Sequence, residues 1–400
     1  MKPFFTRLKF AGVVAVSAVF LLVVSCGGSD DDDAPTPNLA ARTVYTMTNA
    51  ATGNEVIAFR RAEDGTLSRI AAYATGGNGL GSTEISPATP QDGVDVLASQ
   101  GSLFFTPNKR VLLAVNPASH SVSSFLVAGD GTLTRADVKP SGGRQPNAIG
   151  ARNDLVYVAN VGDTSNSFAS NISGFTLDGN GVLTPIAGST RSLSTPNAQP
   201  ASVVFHPNGN LIAVSELTAN RISVFPVGAG GTIGAPVVNA SAGPGPFGSS
   251  FLSNGRLFVT EAPMGASGAT SSYNVSANGT LTAISGSVAN GQVATCWTIP
   301  TPDERTLFVS NTGNGTVSSY RINTDGSLTL LQGVASPLEG PMSGAVDGGV
   351  SEDGRYLYVM NSGLGSITAH RIESNQNLTK IQTLSGQGIP ALGGEGLLVR

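Results

Sequence analysis

Charge is scarce in this 400-residue chain. Lys, Arg, Asp and Glu make up 12% of it, about half the usual share, and the net charge is −4. There is no basic patch, which excludes nucleic acid and acidic lipid surfaces as partners. Cysteine is almost absent: only Cys26 and Cys296 occur. The three histidines, His120, His206 and His370, stand at unrelated positions without ligand spacing, so no metal site is expected. No phosphate loop, Gly-x-Ser-x-Gly elbow or EF-hand loop appears, and no cofactor is expected. No segment has helical periodicity, and the apolar run at residues 10–24 is too short to span a bilayer comfortably.

That run instead reads as an export signal. Lys2, Arg7 and Lys9 precede it, and it ends in Val23-Val24-Ser25-Cys26, which resembles a lipobox, where a cysteine is lipidated and becomes N-terminal after cleavage. Residues 1–25 are therefore expected to be a lipoprotein signal peptide. Without them the net charge is −7, because they hold three of the 22 positive charges and none of the 26 negative ones. Gly27-Gly28-Ser29, Asp30 to Asp33 and Ala34-Pro35-Thr36-Pro37 follow, a self-repelling, solvated tether over residues 26–42. Acidic runs at this place resemble the surface-export signals of Bacteroidetes lipoproteins. The expected location is the bacterial cell envelope, anchored through Cys26 in the outer membrane and facing the cell surface. If Cys26 carries lipid, Cys296 has no disulfide partner; it lies in an apolar run and reads as a small buried side chain.

The rest of the chain is abundant in glycine, with 51, and it repeats. An Asp/Asn-Gly-Thr/Ser-Leu turn ends at Leu67, Leu133, Leu183, Ile233, Leu281, Leu328 and Leu378. A strand residue recurs as Phe59, Phe125, Phe175, Phe225, Tyr273, Tyr320 and His370. A strand end recurs as Asn49, Asn116, Asn160, Glu216, Glu261, Asn311 and Asn361. The first interval is longest, through an insertion at residues 76–91. Short strands rich in Val, Ile, Phe and Tyr, separated by turn residues at this period, read as propeller blades. The fold class is all-β: a seven-bladed β-propeller over residues 43–400 with four antiparallel strands per blade. The repeat opens on a second strand at Thr43 and closes on a first strand at residues 396–400, so the C-terminal strand should complete the first blade and leave no open edge. A monomer is expected.

Val156-Tyr157-Val158-Ala159-Asn160 and Pro302 to Asn311 read like the blade signature of the seven-bladed lactonase family, which includes propeller-type 6-phosphogluconolactonase and carboxymuconate cyclase. The chain resembles that family over nearly all of residues 43–400. The resemblance implies an active site of His, Arg and Glu on one face. At the matching positions this chain has Pro200-Ala201-Ser202 with Glu216-Leu217-Thr218, then Pro246-Phe247-Gly248 with Thr260-Glu261, then Asn311-Thr312-Gly313-Asn314. Of the implied chemical groups only Glu261 is kept.

An inner strand begins, and the second strand ends, on the same propeller face. Arg144, Gln145, Asn160, Gln199, Gln292, Asn311 and Asn361 are thus expected around the channel mouth as ligand-binding residues, with Glu216 and Glu261. The two glutamates, from consecutive blades, could act as a carboxylate pair for acid/base work. Equally, each could replace the asparagine found there in other blades and bond the adjoining turn. Trp297 lies near an inner strand, lining the channel or filling the core. Because His and Arg are missing, the chain is expected to be a binding propeller for a small molecule, a glycan or a protein. The alternative is a lactone hydrolase or cyclase, 6-phosphogluconolactonase-like, using Glu261 in a remodelled site.

Overall fold

A computed structural model describes residues 42–400 of the chain. The export signal, Cys26 and the tether up to residue 41 lie outside the described residues. Seven antiparallel sheets stand around a central axis. Their innermost strands are, in ring order, Glu395–Val399, Leu103–Phe105, Pro146–Arg152, Pro200–Phe205, Pro246–Phe251, Thr295–Pro300 and Ala345–Val350; blades are numbered 1 to 7 in that order. Each inner strand packs on the next, the last back on the first.

Closure is as the repeat phase predicts. Glu395–Val399 pairs antiparallel with Thr43–Met47, in the register Val44 to Val399 and Tyr45 to Leu398. The first strand of blade 1 therefore comes from the end of the chain. Blade 3 divides its outer edge between Leu183–Pro185 and Arg191–Ser192.

The three anchors have distinct physical duties. The aromatic anchor lies on the third strand and is buried in every blade, from Phe59 to His370. In the Asp-Gly turn the aspartate accepts both the N–H and the O–H of the residue two positions on, as Asp64 does from Thr66 at 3.0 and 2.7 Å and Asp130 from Thr132 at 2.9 and 2.7 Å. The glycine between them has φ of +87° at Gly65 and +86° at Gly131, a region closed to most side chains. These turns also join blades: the Tyr358 hydroxyl donates to the Gly65 carbonyl at 2.7 Å and the Tyr45 hydroxyl to that of Gly131 at 2.8 Å. Blade 4 departs from the pattern. Ile233 forms only an isolated bridge to Val227, and the outer strand starts at Val237.

The strand-end anchor is off by one residue in blade 1. Val44 pairs with Phe59 as Leu112 pairs with Phe125, which puts Thr48, not Asn49, in the place of Asn116. Asn49 lies past the strand with φ of +48°. It bonds the long insertion instead, accepting from Leu80 N–H at 3.0 Å and donating to the Gly81 carbonyl at 3.3 Å.

Candidate functional site

On the mouth face the expected residues divide into two groups, and most are sealed. Asn160, Glu216, Glu261, Asn311, Asn361 and Gln199 are buried. The Asn311 amide donates to Thr316 Oγ1 at 3.0 Å and Ser318 Oγ at 2.8 Å, and Asn361 does the same to Ser366 at 3.1 Å and Thr368 at 2.8 Å. Asn160 reaches Asn171 and Ser173 likewise, at 3.0 and 3.3 Å. Each partner is on the third strand of the same blade. The two glutamates hold this position with the polarity reversed. Glu216 accepts from the hydroxyls of Ser194 and Ser223 and from Ser194 N–H. Glu261 accepts from the hydroxyls of Ser271 and Ser287 and from Gly243 N–H at 2.9 Å. Hydroxyls that receive a hydrogen bond from asparagine give one to glutamate. The two carboxylates are thus separate in-blade acceptors, with no hydrogen bond between them.

Loop glycines close over these side chains. A Cβ on Gly143 would stand 2.5 Å from the Asn160 side chain, and one on Gly243 2.2 Å from Glu261 Oε2. Gln199, with φ of +52°, has neither its amide nitrogen nor its oxygen partnered.

The channel itself is occupied. The segment just after the insertion, residues 94–100, crosses the mouth and touches the inner strand or mouth loop of each blade except blade 2. Leu97 N–H donates to Glu395 Oε1 in blade 1 at 3.1 Å. In blade 3 the Ser99 hydroxyl donates to the Asn147 carbonyl at 2.7 Å, and the Asn147 amide donates back to the Leu97 carbonyl at 3.2 Å. Gln100 N–H reaches the Ala201 carbonyl of blade 4 at 2.7 Å, and Gln100 Oε1 accepts from Thr298 N–H of blade 6 at 3.1 Å. Gly248 of blade 5 and Gly344 of blade 7 lie so close that a Cβ there would be 2.3 Å from Gln100 Oε1 and 2.2 Å from Val94. Ala98 joins Ala201, Phe247, Cys296, Trp297 and Leu397 in one packed cluster. Trp297 is fully buried, with its ring 5.2 Å from that of Phe247. It and Cys296 belong to this plugged core.

Ala201 and Gly248 are two of the three positions at which the family resemblance implies histidine, Asn314 being the third; Gln100 lies against Gly248 and its N–H bonds the Ala201 carbonyl.

What remains at the surface is a smaller polar group between blades 2 and 3. Arg144 Nε donates to Asp163 Oδ2, with the arginine side chain 41% exposed. His120 Nε2 stands 3.9 Å from the same oxygen. The Gln145 N–H donates to His120 Nδ1 at 3.1 Å, so in a neutral ring Nε2 carries the proton and faces the carboxylate. Burial works to raise the Asp163 carboxyl, but hydrogen bonds from Ser165 and Arg144 outweigh it and hold it below the usual range. Gln145, with its amide turned to suit its neighbours, donates to the carbonyls of Gly162 and Ile85 at 2.7 and 3.1 Å, which fastens the insertion to blade 3. Half-buried Gln292 accepts from Thr316 Oγ1 at 3.1 Å. His120 and Asp163 carry no repeat signal of their own; both sit in turns just beyond the strand ends that the repeat marks.

No curated protein sequence matches the chain. Among solved structures, a candidate 6-phosphogluconolactonase of Bacteroides uniformis superposes with a TM-score of 0.67 at 18% identity, over 90% of this chain and 99% of that one. The periplasmic gluconolactonase of Pseudomonas aeruginosa gives 0.64 at 16% identity, over 89% of this chain and 98% of that one. Likeness at these identities establishes the fold alone. The family described as lactonase, 7-bladed beta-propeller, matches residues 82–390 by its sequence profile, most of the chain. With seven blades, the closing strand and that match together, the chain belongs to the seven-bladed β-propeller lactonase family.

Proposed function

We propose that the protein is a lipid-anchored lactonase-fold propeller that binds a ligand rather than hydrolysing one. The observation that carries this reading is Gln100. Its side chain lies against Gly248 and its N–H bonds Ala201, at two of the three places where the family resemblance implies histidine. A developing oxyanion needs a cation or preorganised donors, and a proton needs a shuttle. Glu261 supplies neither, and its oxygens are already committed to Ser271, Ser287 and Gly243. The half-buried polar groups Arg144, His120, Asp163 and Gln292 then serve recognition of a small molecule, a glycan or a protein. The purified protein should hydrolyse 6-phosphogluconolactone and carboxylated muconolactones no faster than buffer, and Glu261→Gln should leave that background unchanged. Turnover near an ordinary enzyme rate of about 10 s⁻¹ that vanishes in Glu261→Gln would establish the lactonase reading instead.

The anchor belongs to the same reading. Cys26→Ala should prevent acylation, so the variant is released from the membrane fraction or stays unprocessed. A variant that still fractionates as a processed, acylated membrane protein contradicts it.

A further inference from the structure

The segment at residues 94–100 closes the channel in the company of buried carboxyls. Asp95 is on the segment itself, half-buried Glu84 lies in the insertion, and Asp92, just before the segment, is exposed. Glu395 comes from the inner strand of blade 1 and Asp347 from that of blade 7. Backbone donors meet one side of three of them: Leu97 N–H on Glu395 at 3.1 Å, Leu397 N–H on Asp347 at 3.0 Å and Gly93 N–H on Glu84 at 2.9 Å. Asp95 Oδ1 and Glu395 Oε2 are shut off from solvent and bond nothing.

The charges that act on Asp95 are Glu84, Asp92 and Asp347, and those on Glu395 are Asp95, Asp347 and Glu84. From blade 6 the Cys296 thiol faces Asp95 and Glu395. The remaining walls are uncharged: Asn147 of blade 3, Ala201 of blade 4, Gly248 of blade 5 and Thr298 of blade 6. Among the described residues no group of three or more His, Cys, Asp or Glu is arranged to hold a metal ion. Burial, followed by these like charges, pushes the carboxyls of Asp95 and Glu395 well above the usual range. Protonated, they can sit together. Ionised, they repel each other in a site without a compensating cation. Residues 94–100 belong to no sheet, so this segment can leave without breaking a blade.

We propose that residues 94–100 form a proton-retained plug, which closes the channel while Asp95 and Glu395 are protonated and withdraws when they ionise, opening the mouth face. This rests on the blocked channel and not on what the opened mouth binds, so it can fail or stand apart from the binding reading.

Trp297 is the chain's only tryptophan, packs in the same cluster as Ala98 and adjoins Thr298, which Gln100 bonds. Acrylamide quenching of its fluorescence in the full chain, from pH 5 to 9, reads the plug directly. Quenching should rise about threefold or more along a proton-linked curve while the far-ultraviolet β-sheet signal stays constant. Asp95→Asn and Glu395→Gln should move the midpoint up by about one pH unit or remove it, since each takes away one ionisation that drives withdrawal. Gln100→Ala leaves every carboxyl in place but cuts the side-chain bonds to Thr298, and should move the midpoint down. Calcium and EDTA should leave the curve unmoved. Flat quenching, a rise that coincides with loss of sheet signal, a midpoint that none of the three variants moves, or one that follows calcium or EDTA would each overturn the plug.

Discussion

Removal of residues 396–400 is expected to lower the melting temperature by about 10 °C. The pairing is the cause: Leu397, Leu398 and Val399 complete blade 1 opposite Thr46, Tyr45 and Val44. Leu397 is 2% exposed, and burial of a leucine is worth about 1.5–3 kcal/mol. The same strand takes the Thr46 hydroxyl on the Gly396 carbonyl at 2.7 Å and gives Leu397 N–H to Asp347, and Arg400 N–H donates to the Thr43 carbonyl at 2.9 Å. Each such bond contributes about 0.5–1.5 kcal/mol net, more if its partner is left buried and unpaired. The total approaches the whole stability of a typical domain, about 5–15 kcal/mol. Thermal unfolding followed by circular dichroism on the truncated and full chains measures it. A melting temperature within a degree or two of the full chain would mean that the last strand does not hold the ring closed.

The ring was readable because a propeller states its plan seven times. Three anchors at a common period mark strand, turn and strand end, and the phase of the repeat against the chain ends tells which strand closes blade 1. Where one copy departs from the others, reading weakens. In blade 1 the asparagine beside the strand end is Asn49, but pairing with Phe59 selects Thr48. The carboxylates were legible as positions but not as directions. Glu216 and Glu261 stand at strand ends on the mouth face, as expected, yet their side chains turn into their own blades toward Ser223, Ser271 and Ser287. Repeat register fixes a Cα and leaves this choice to the neighbours. The third strands of these blades carry serine where the asparagine blades carry a serine or threonine partner, and that match was the available signal.

The plug was not legible from the insertion's length. An insertion rich in Gly, Ser, Thr and Pro looks like an external loop, and only the segment just after it, Val94-Asp95-Val96-Leu97-Ala98, is apolar enough to be buried. The complementary signal lies far off in sequence, in the small residues Ala201 and Gly248. A loss at one site and a gain at another become one feature only when the ring brings blades 4 and 5 to the same axis.

Asp347 should give the stability of the protein an unusual pH dependence. Its carboxyl is buried beside the plug, and burial raises it from the ordinary 3.8 to about 7, against hydrogen bonds from Gly348 and Leu397 that lower it. The folded state therefore binds more protons than the unfolded chain between about pH 4 and pH 7. Stability from this group is full below the lower value and is lost as pH rises through the upper one, by about 4 kcal/mol. His370 opposes it over part of that window: burial lowers the imidazole from 6.5 to about 4, so the folded state binds fewer protons there and stability grows with pH. The wild-type curve mixes the two, and a difference separates them. Asp347→Asn keeps a residue type that tolerates the left-handed backbone at this position, φ of +37°, and it resembles the protonated acid in shape and charge. Relative to wild type, the variant should gain about 4 kcal/mol in unfolding free energy between pH 4 and pH 8, whatever constant offset the substitution brings. Urea unfolding of both proteins across that range gives the difference directly. If the two curves run parallel, the Asp347 carboxyl is ionised in the folded protein at neutral pH and burial at the ring closure does not hold its proton.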